Sequence, residues 1–142
     1  MDTKSLEEIK IRFKSISFEE KFDMIVAIAN GGIIPAALLN QRLNLEIQLL
    51  KLHLRDDSQK PLYDRPKLLE DIRFDVKGKT ILLVEDRVKT GATLNYAKQL
   101  IAEAGAKAVR TFAVNGKADY CLYNETCFMF PWIIRECPSL KI

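Results

Sequence analysis

Hydrophobic positions along the chain fall into short runs separated by polar and glycine-bearing turns. Residues 24–29, Met-Ile-Val-Ala-Ile-Ala, form an uninterrupted apolar run bounded by Asp23 and by Asn30-Gly31-Gly32. Such a run reads as a strand buried on both faces. Residues 33–43 then read as a helix, with Pro35 tolerable only in its first turn. Residues 46–54 alternate loosely through Ile47, Leu49, Leu50 and Leu52, a further strand, with the single histidine, His53, at its end in a packing or solvated role. A turn at 76–79 feeds a second continuous run, Ile81-Leu82-Leu83-Val84. Leu94, Ala97, Leu100, Ile101 and Ala104 recur at helical spacing up to Gly105, a C-terminal stop, and residues 108–114 give the next strand. Strands alternating with helices in this way predict an α/β fold: a parallel sheet with helices on both faces.

The ends and one internal stretch depart from that rhythm. Ser5 followed by Glu8 is a capping box, predicting a helix to about Ser15, with a second short turn at 17–21. Residues 55–71 are polar, with prolines at 61 and 66, a long loop for so short a chain. Residues 128–134, Phe-Met-Phe-Pro-Trp-Ile-Ile, carry a proline in their middle and so suit a sheet edge or a packed flap. Met129 and Ile133 read as packing residues of that flap, whereas Phe130 and Trp132 flank the proline and could offer aromatic faces to a planar ring. No repeat or domain boundary appears, so residues 1–142 are expected to form one domain, with a C-terminal hood at roughly 115–142.

Composition narrows the classes. At 142 residues the chain can bury roughly 68% of its unfolded surface. A net charge of +3 without a Lys/Arg stripe argues against nucleic acid and suits a small anionic ligand. No apolar run approaches a membrane span, and the first residues lack a signal peptide's apolar core. Cys121, Cys127 and Cys137 are odd in number and lack Cys-x-x-Cys spacing, which favours free thiols over a metal or a disulfide. A reducing, cytoplasmic compartment is the expectation.

Chemistry concentrates at residues 81–94. Glu85 and Asp86 stand at the end of an apolar strand, where α/β sheets bind ligands. A small-residue turn, Thr90-Gly91-Ala92-Thr93, then leads into a helix and suits a phosphate. Acids beside an anion cradle suggest a sugar phosphate, whose hydroxyls need acceptors and whose anion needs amides. A plain strand–turn–helix with capping threonines would not require two acids at the strand tip.

This stretch resembles the phosphoribosyl-diphosphate motif of type I phosphoribosyltransferases. Residues 23–39, with Asn30-Gly31-Gly32 at their centre, are similar to the pyrophosphate loop of the same family. The segment from Lys117, Asp119 and Tyr120 to Phe130-Pro131-Trp132 resembles the hood of the xanthine–guanine and hypoxanthine enzymes. The resemblance implies a type I core with flanking helices, a flexible loop over 55–71 and a small hood. It implies transfer of ribose 5-phosphate from phosphoribosyl diphosphate to a base, with a purine favoured, and release of pyrophosphate. Magnesium would be the cofactor, with Glu85 and Asp86 on the ribose hydroxyls and the metal shell. Lys89 to Thr93 would wrap the 5′-phosphate, Trp132 would stack on the base, and Lys117 would meet its oxo group. Arg55, Lys60, Tyr63 and Arg65 are the groups the loop could bring down, with none singled out. A homodimer is also implied.

Two positions depart from the family. Asn30 stands where an Arg or Lys, often after a non-proline cis peptide, commonly precedes Gly-Gly. Asparagine can donate a hydrogen bond but brings no charge to pyrophosphate. Lys89 stands where the 6-oxopurine enzymes place an aspartate that exchanges a proton with the base. A lysine is cationic at neutral pH and cannot accept that proton, so Lys89, the third candidate for the catalytic set, either contacts phosphate or is a solvated loop residue. Arg87 adds a second cation. The alternative to an enzyme is therefore a non-catalytic sensor of phosphoribosyl diphosphate or a nucleotide.

Overall fold

The computed structural model describes residues 2–53, 67–68 and 72–134. The loop residues Arg55, Lys60, Tyr63 and Arg65, together with Cys137, lie outside the described residues. The elements run β1 (Asp2–Thr3), α1 (Leu6–Ser15), β2 (Met24–Ala29), α2 (Ile33–Leu43), β3 (Glu46–His53), β4 (Lys67–Leu68), β5 (Thr80–Arg87), α3 (Ala92–Glu103), β6 (Ala108–Asn115), β7 (Tyr120–Tyr123) and β8 (Phe128–Met129). The main sheet has the order β4-β3-β2-β5-β6-β7. Its strands are parallel apart from the antiparallel edge strand β4.

Period-two alternation sorts the sheet's side chains into two cores. Ile25, Ala27, Leu82, Val84, Phe112 and Val114 face Ile9 and Phe13 of α1 and Ala36 and Leu39 of α2. Met24, Val26, Ile28, Ile81 and Leu83 face Leu94, Ala97 and Ile101 of α3. Helices on both faces explain why these strands read as unbroken apolar runs. The N-terminal helix is capped as expected on one side only: Ser5 accepts from the Glu8 amide at 3.1 Å. The Glu8 carboxylate, expected to close the box, instead accepts from the Tyr123 hydroxyl at 2.5 Å. Residues 17–21 form bends and no helical turn. Phe18 and Phe22 anchor that stretch edge-on against Tyr120.

Two features of the C-terminal third were not expected. Strand β7 joins the main sheet parallel to β6, Phe112 opposite Tyr120, with only residues 116–119 to bring the chain back. A parallel pair ordinarily needs a dozen or more connecting residues. The tight return is fastened by Asp119, whose Oδ2 accepts from the Thr111 amide at 2.9 Å, while the Asp119 amide donates to the Thr111 hydroxyl at 2.9 Å. Strand β8 lies outside the main sheet and pairs with β1, Asp2 opposite Phe128. The edge character expected of 128–134 is thus realised, but its packing differs. Phe128 and Phe130 are the buried residues, whereas Ile133 is 44% exposed and does not pack as a flap residue.

Candidate active site

Strand order locates the site. After β2 the chain moves outward to β3 and then crosses to β5 on the other side of β2, which makes the C-terminal ends of β2 and β5 a switch point. The Asn30-Gly31-Gly32 loop leaves β2 there and the acid pair ends β5 there, on strands joined through Ala27 and Val84. Small residues allow the approach. A Cβ on Gly32 would stand 2.3 Å from the Val84 carbonyl oxygen, and one on Gly31 would stand 2.7 Å from the Asp86 carboxylate. The Ala29–Asn30 peptide is cis, and the Gly32 amide donates to the Ile28 carbonyl at 2.7 Å.

Residues Glu85 to Leu94 line one open cleft of about 340 Å³. The floor is the start of α3. Gly91 precedes it in the left-handed conformation, φ +88°, and the Thr90 hydroxyl accepts from the Ala92 amide at 3.2 Å. The first amides of a helix have no partner within it and form its positive end, so this floor favours an anion. Glu85, Asp86, Lys89, Thr90, Gly91, Ala92 and Thr93 are therefore gathered in one place, with Gly31 against the Asp86 carboxylate and Gly32 against the Val84 carbonyl.

The acids are arranged unequally. Glu85 accepts from the Asp86 amide at 2.9 Å, and Asp86 accepts from the Arg87 amide at 2.6 Å. Burial, and then the neighbouring Asp86 charge, push the Glu85 carboxyl up to about 9. A protonated Glu85 beside Asp86 gives one hydrogen-bond donor and several acceptors, a match for a sugar's vicinal hydroxyls. Among the described residues no group of three or more His, Cys, Asp or Glu could hold a metal ion. With the Glu85 proton displaced by the cation, the two carboxylates would be hard oxygen donors that fit magnesium only when a substrate and water complete its shell, which is how that ion is ordinarily bound.

The remaining candidates, Asn30, Lys117 and Trp132, do not line that cleft. Asn30 is exposed at the loop tip. Lys117 is exposed in the β6–β7 return. Gly116 brings that return against the cleft loop: at φ +137°, a Cβ there would lie 2.5 Å from the Val88 carbonyl oxygen. Trp132 is half-buried and stacks on Phe130 with ring centroids 5.0 Å apart and planes 10° apart. Phe130 itself is fully buried and serves as the layer beneath the indole. Arg87 does not add to the cleft's charge in the way its position suggested. Its guanidinium turns to the hood, donating to the Phe128 carbonyl at 2.7 Å and lying 4.6 Å from the Phe130 ring centre. Nothing in the local sequence signals that contact, since its partner lies 41 residues away.

The sequence profile of the phosphoribosyl transferase domain matches residues 4–129. The chain belongs to the phosphoribosyltransferase family. It thereby joins a family of pentosyl-transferring enzymes. The xanthine-guanine phosphoribosyltransferase of Desulfotalea psychrophila is 33% identical over 125 residues, 78% of this chain and 70% of that protein. The orotate phosphoribosyltransferase of Sulfurisphaera tokodaii is 33% identical over 93 residues; the match spans 66% of this chain but only 43% of that enzyme. Among solved structures, the purine phosphoribosyltransferase from Pyrococcus horikoshii superposes with a TM-score of 0.77 at 23% identity, covering 99% of this chain and 97% of that one. This last likeness establishes the fold: a type I phosphoribosyltransferase core. Among the described residues no helix is long and apolar enough to cross a membrane.

Proposed function

We propose that this protein transfers ribose 5-phosphate from phosphoribosyl diphosphate to a purine base and releases pyrophosphate. The observation that carries the reading is the convergence of the acid pair, the Gly31-Gly32 loop and the α3 start on one cleft. In the reaction a base nitrogen bonds to the ribose C1′ while the C1′–oxygen bond to pyrophosphate breaks. The electron pair leaves with pyrophosphate and the base gives up a proton. Asp86 and Glu85 hold the ribose hydroxyls, the turn from Lys89 to Thr93 takes the 5′-phosphate, and the exposed face of Trp132 receives the base with Lys117 beside its oxo group. Glu85 and Asp86 would hold magnesium, which would supply charge neutralisation for the leaving group. With a lysine at position 89, where the 6-oxopurine enzymes place an aspartate, catalysis rests on positioning and electrostatics. The same reading makes 1–142 one domain of a cytoplasmic purine-salvage enzyme, acting as a homodimer.

The deciding experiment is pyrophosphate release with magnesium, phosphoribosyl diphosphate and a panel of purines, orotate and other bases. Turnover with a purine is expected. Silence across the panel with retained nucleotide binding would favour a non-catalytic sensor, the reading that Asn30 and Lys89 support. Lys89→Asp is expected to raise turnover with 6-oxopurines; no gain would mean that the base proton leaves by another route.

A further inference from the structure

Arg87 joins two parts of the molecule that are otherwise separate. Its amide donates to the Asp86 carboxylate at 2.6 Å, so its main chain belongs to the sugar-phosphate cleft. Its side chain belongs to the hood. Nη2 donates to the Phe128 carbonyl at 2.7 Å, and Cζ lies 4.6 Å from the centre of the Phe130 ring. Phe130 in turn stacks on Trp132 at 5.0 Å and 10°. The result is a chain of contacts from guanidinium to phenyl ring to indole, rooted one residue beyond the acid pair.

The stack carries an energetic cost. Arg87 Nε is buried and finds no hydrogen-bond partner. An aliphatic side chain would fill the same place without desolvating a donor. What only arginine supplies is a planar cation that bonds a backbone carbonyl and lies on an aromatic face at once. That combination fixes both the distance and the tilt of the ring above it. Phe130 covers one face of the indole, and the indole as a whole remains partly exposed.

We infer that Arg87 is a positioning residue for base recognition: it sets the height and tilt of the Phe130–Trp132 platform relative to the sugar-phosphate cleft. The inference rests on the reading of Trp132 as the base platform. It predicts that Arg87 governs affinity for the base-bearing part of a ligand and not for its sugar phosphate.

Trp132 is the sole tryptophan of the chain, so its fluorescence reports the platform directly. Wild-type protein, Arg87→Met and Arg87→Lys would be titrated with AMP, GMP, IMP and orotidine monophosphate by fluorescence, and with ribose 5-phosphate by calorimetry. The wild type should be quenched by at least one nucleotide. Arg87→Met should bind that nucleotide roughly tenfold more weakly, the loss of one charge-assisted contact, with ribose 5-phosphate affinity changed by less than about twofold. Arg87→Lys keeps the charge and a donor but not the planar layer, and should fall between. Should Arg87→Met fail to fold, the same ratio of nucleotide to sugar-phosphate affinity is read from Arg87→Lys. Equal losses for both ligands, or no loss for the nucleotide, would overturn the role of Arg87 while leaving Trp132 as the platform. A wild type quenched by none of the nucleotides would overturn the platform and the anchor together.

Discussion

The sugar-phosphate cleft and the hood are built in opposite ways. The cleft wall is one continuous piece of chain, Glu85 to Leu94, completed by a glycine loop on the neighbouring strand. The hood is assembled from distant pieces. Strand β1 pairs with β8, and Lys4 lies 2.7 Å from Glu125 and 4.7 Å and 5.0 Å from the Tyr123 and Phe128 ring centres. Arg12 donates to the Leu122 carbonyl at 2.8 Å and lies 4.2 Å from the Tyr123 ring centre. Burial and the Glu8 carboxylate push the Tyr123 hydroxyl up to about 12, which keeps it a donor to Glu8 over the working range of pH. A region made of one strand, turn and helix keeps its shape wherever the core keeps its shape. A region made of contacts between the chain's two ends depends on those contacts for its alignment, even though Leu122, Tyr123, Phe128 and Phe130 share the core beneath α1 and α2.

The largest test of that contrast is Asp86→Ala. It removes the carboxylate that faces Gly31 and is expected to weaken phosphoribosyl diphosphate by roughly a hundredfold, the scale of two charge-assisted hydrogen bonds. Calorimetry with magnesium measures it, and unchanged affinity would break the assignment of the cleft. Gly32→Ala comes next. Its Cβ would meet two backbone oxygens, Val84 at 2.3 Å and Ile28 at 2.9 Å, and backbone cannot swing aside. A loss of roughly 1–3 kcal/mol in urea denaturation is expected, and a neutral substitution would mean that the loop is less tightly packed on β5. Arg12→Met addresses the hood alone. Nucleotide affinity should fall a few-fold and stability by about 1–2 kcal/mol, while ribose 5-phosphate binding stays nearly constant. A parallel fall in sugar-phosphate binding would show that cleft and hood are one unit.

The same contrast governs what could be read from residue order. The runs at 24–29 and 81–84, the Gly31-Gly32 turn and the turn at 90–93 are local patterns, and each became the predicted element. The acid pair was legible because two carboxylates at the tip of an apolar strand have no packing purpose. Strand β7 was missed because residues 120–123 are short and reach the sheet through a return far tighter than parallel strands usually allow. The pairing of β1 with β8 joins residues 126 positions apart, a contact no window of sequence contains. Arg87 was read as a second cation of the anion loop because its neighbours are loop residues; its side chain answers instead to Phe128 and Phe130. Ile133 looked like packing by composition, but burial in that segment goes to the two phenylalanines on the core side.

The last test lies wholly within the cleft. Burial and the Asp86 charge raise the Glu85 carboxyl from 4.5 to about 9, so the folded protein holds a proton that the unfolded chain releases. Between those values the folded state binds more protons than the unfolded one, and stability must fall as pH rises. The contribution is fully present below about 4.5 and is lost through about 9. One proton limits the slope to about 1.4 kcal/mol per pH unit, and solvent access to part of the carboxyl narrows the pH window over which the decline runs. Urea midpoints of the ligand-free protein, taken across neutral to mildly alkaline pH without magnesium, should therefore decline, and Glu85→Gln should flatten the decline. Arg12→Met should leave the slope as it is, since the hood takes no part in this proton. A decline that survives in Glu85→Gln would place the proton on another group and remove the donor that the cleft offers to a sugar hydroxyl.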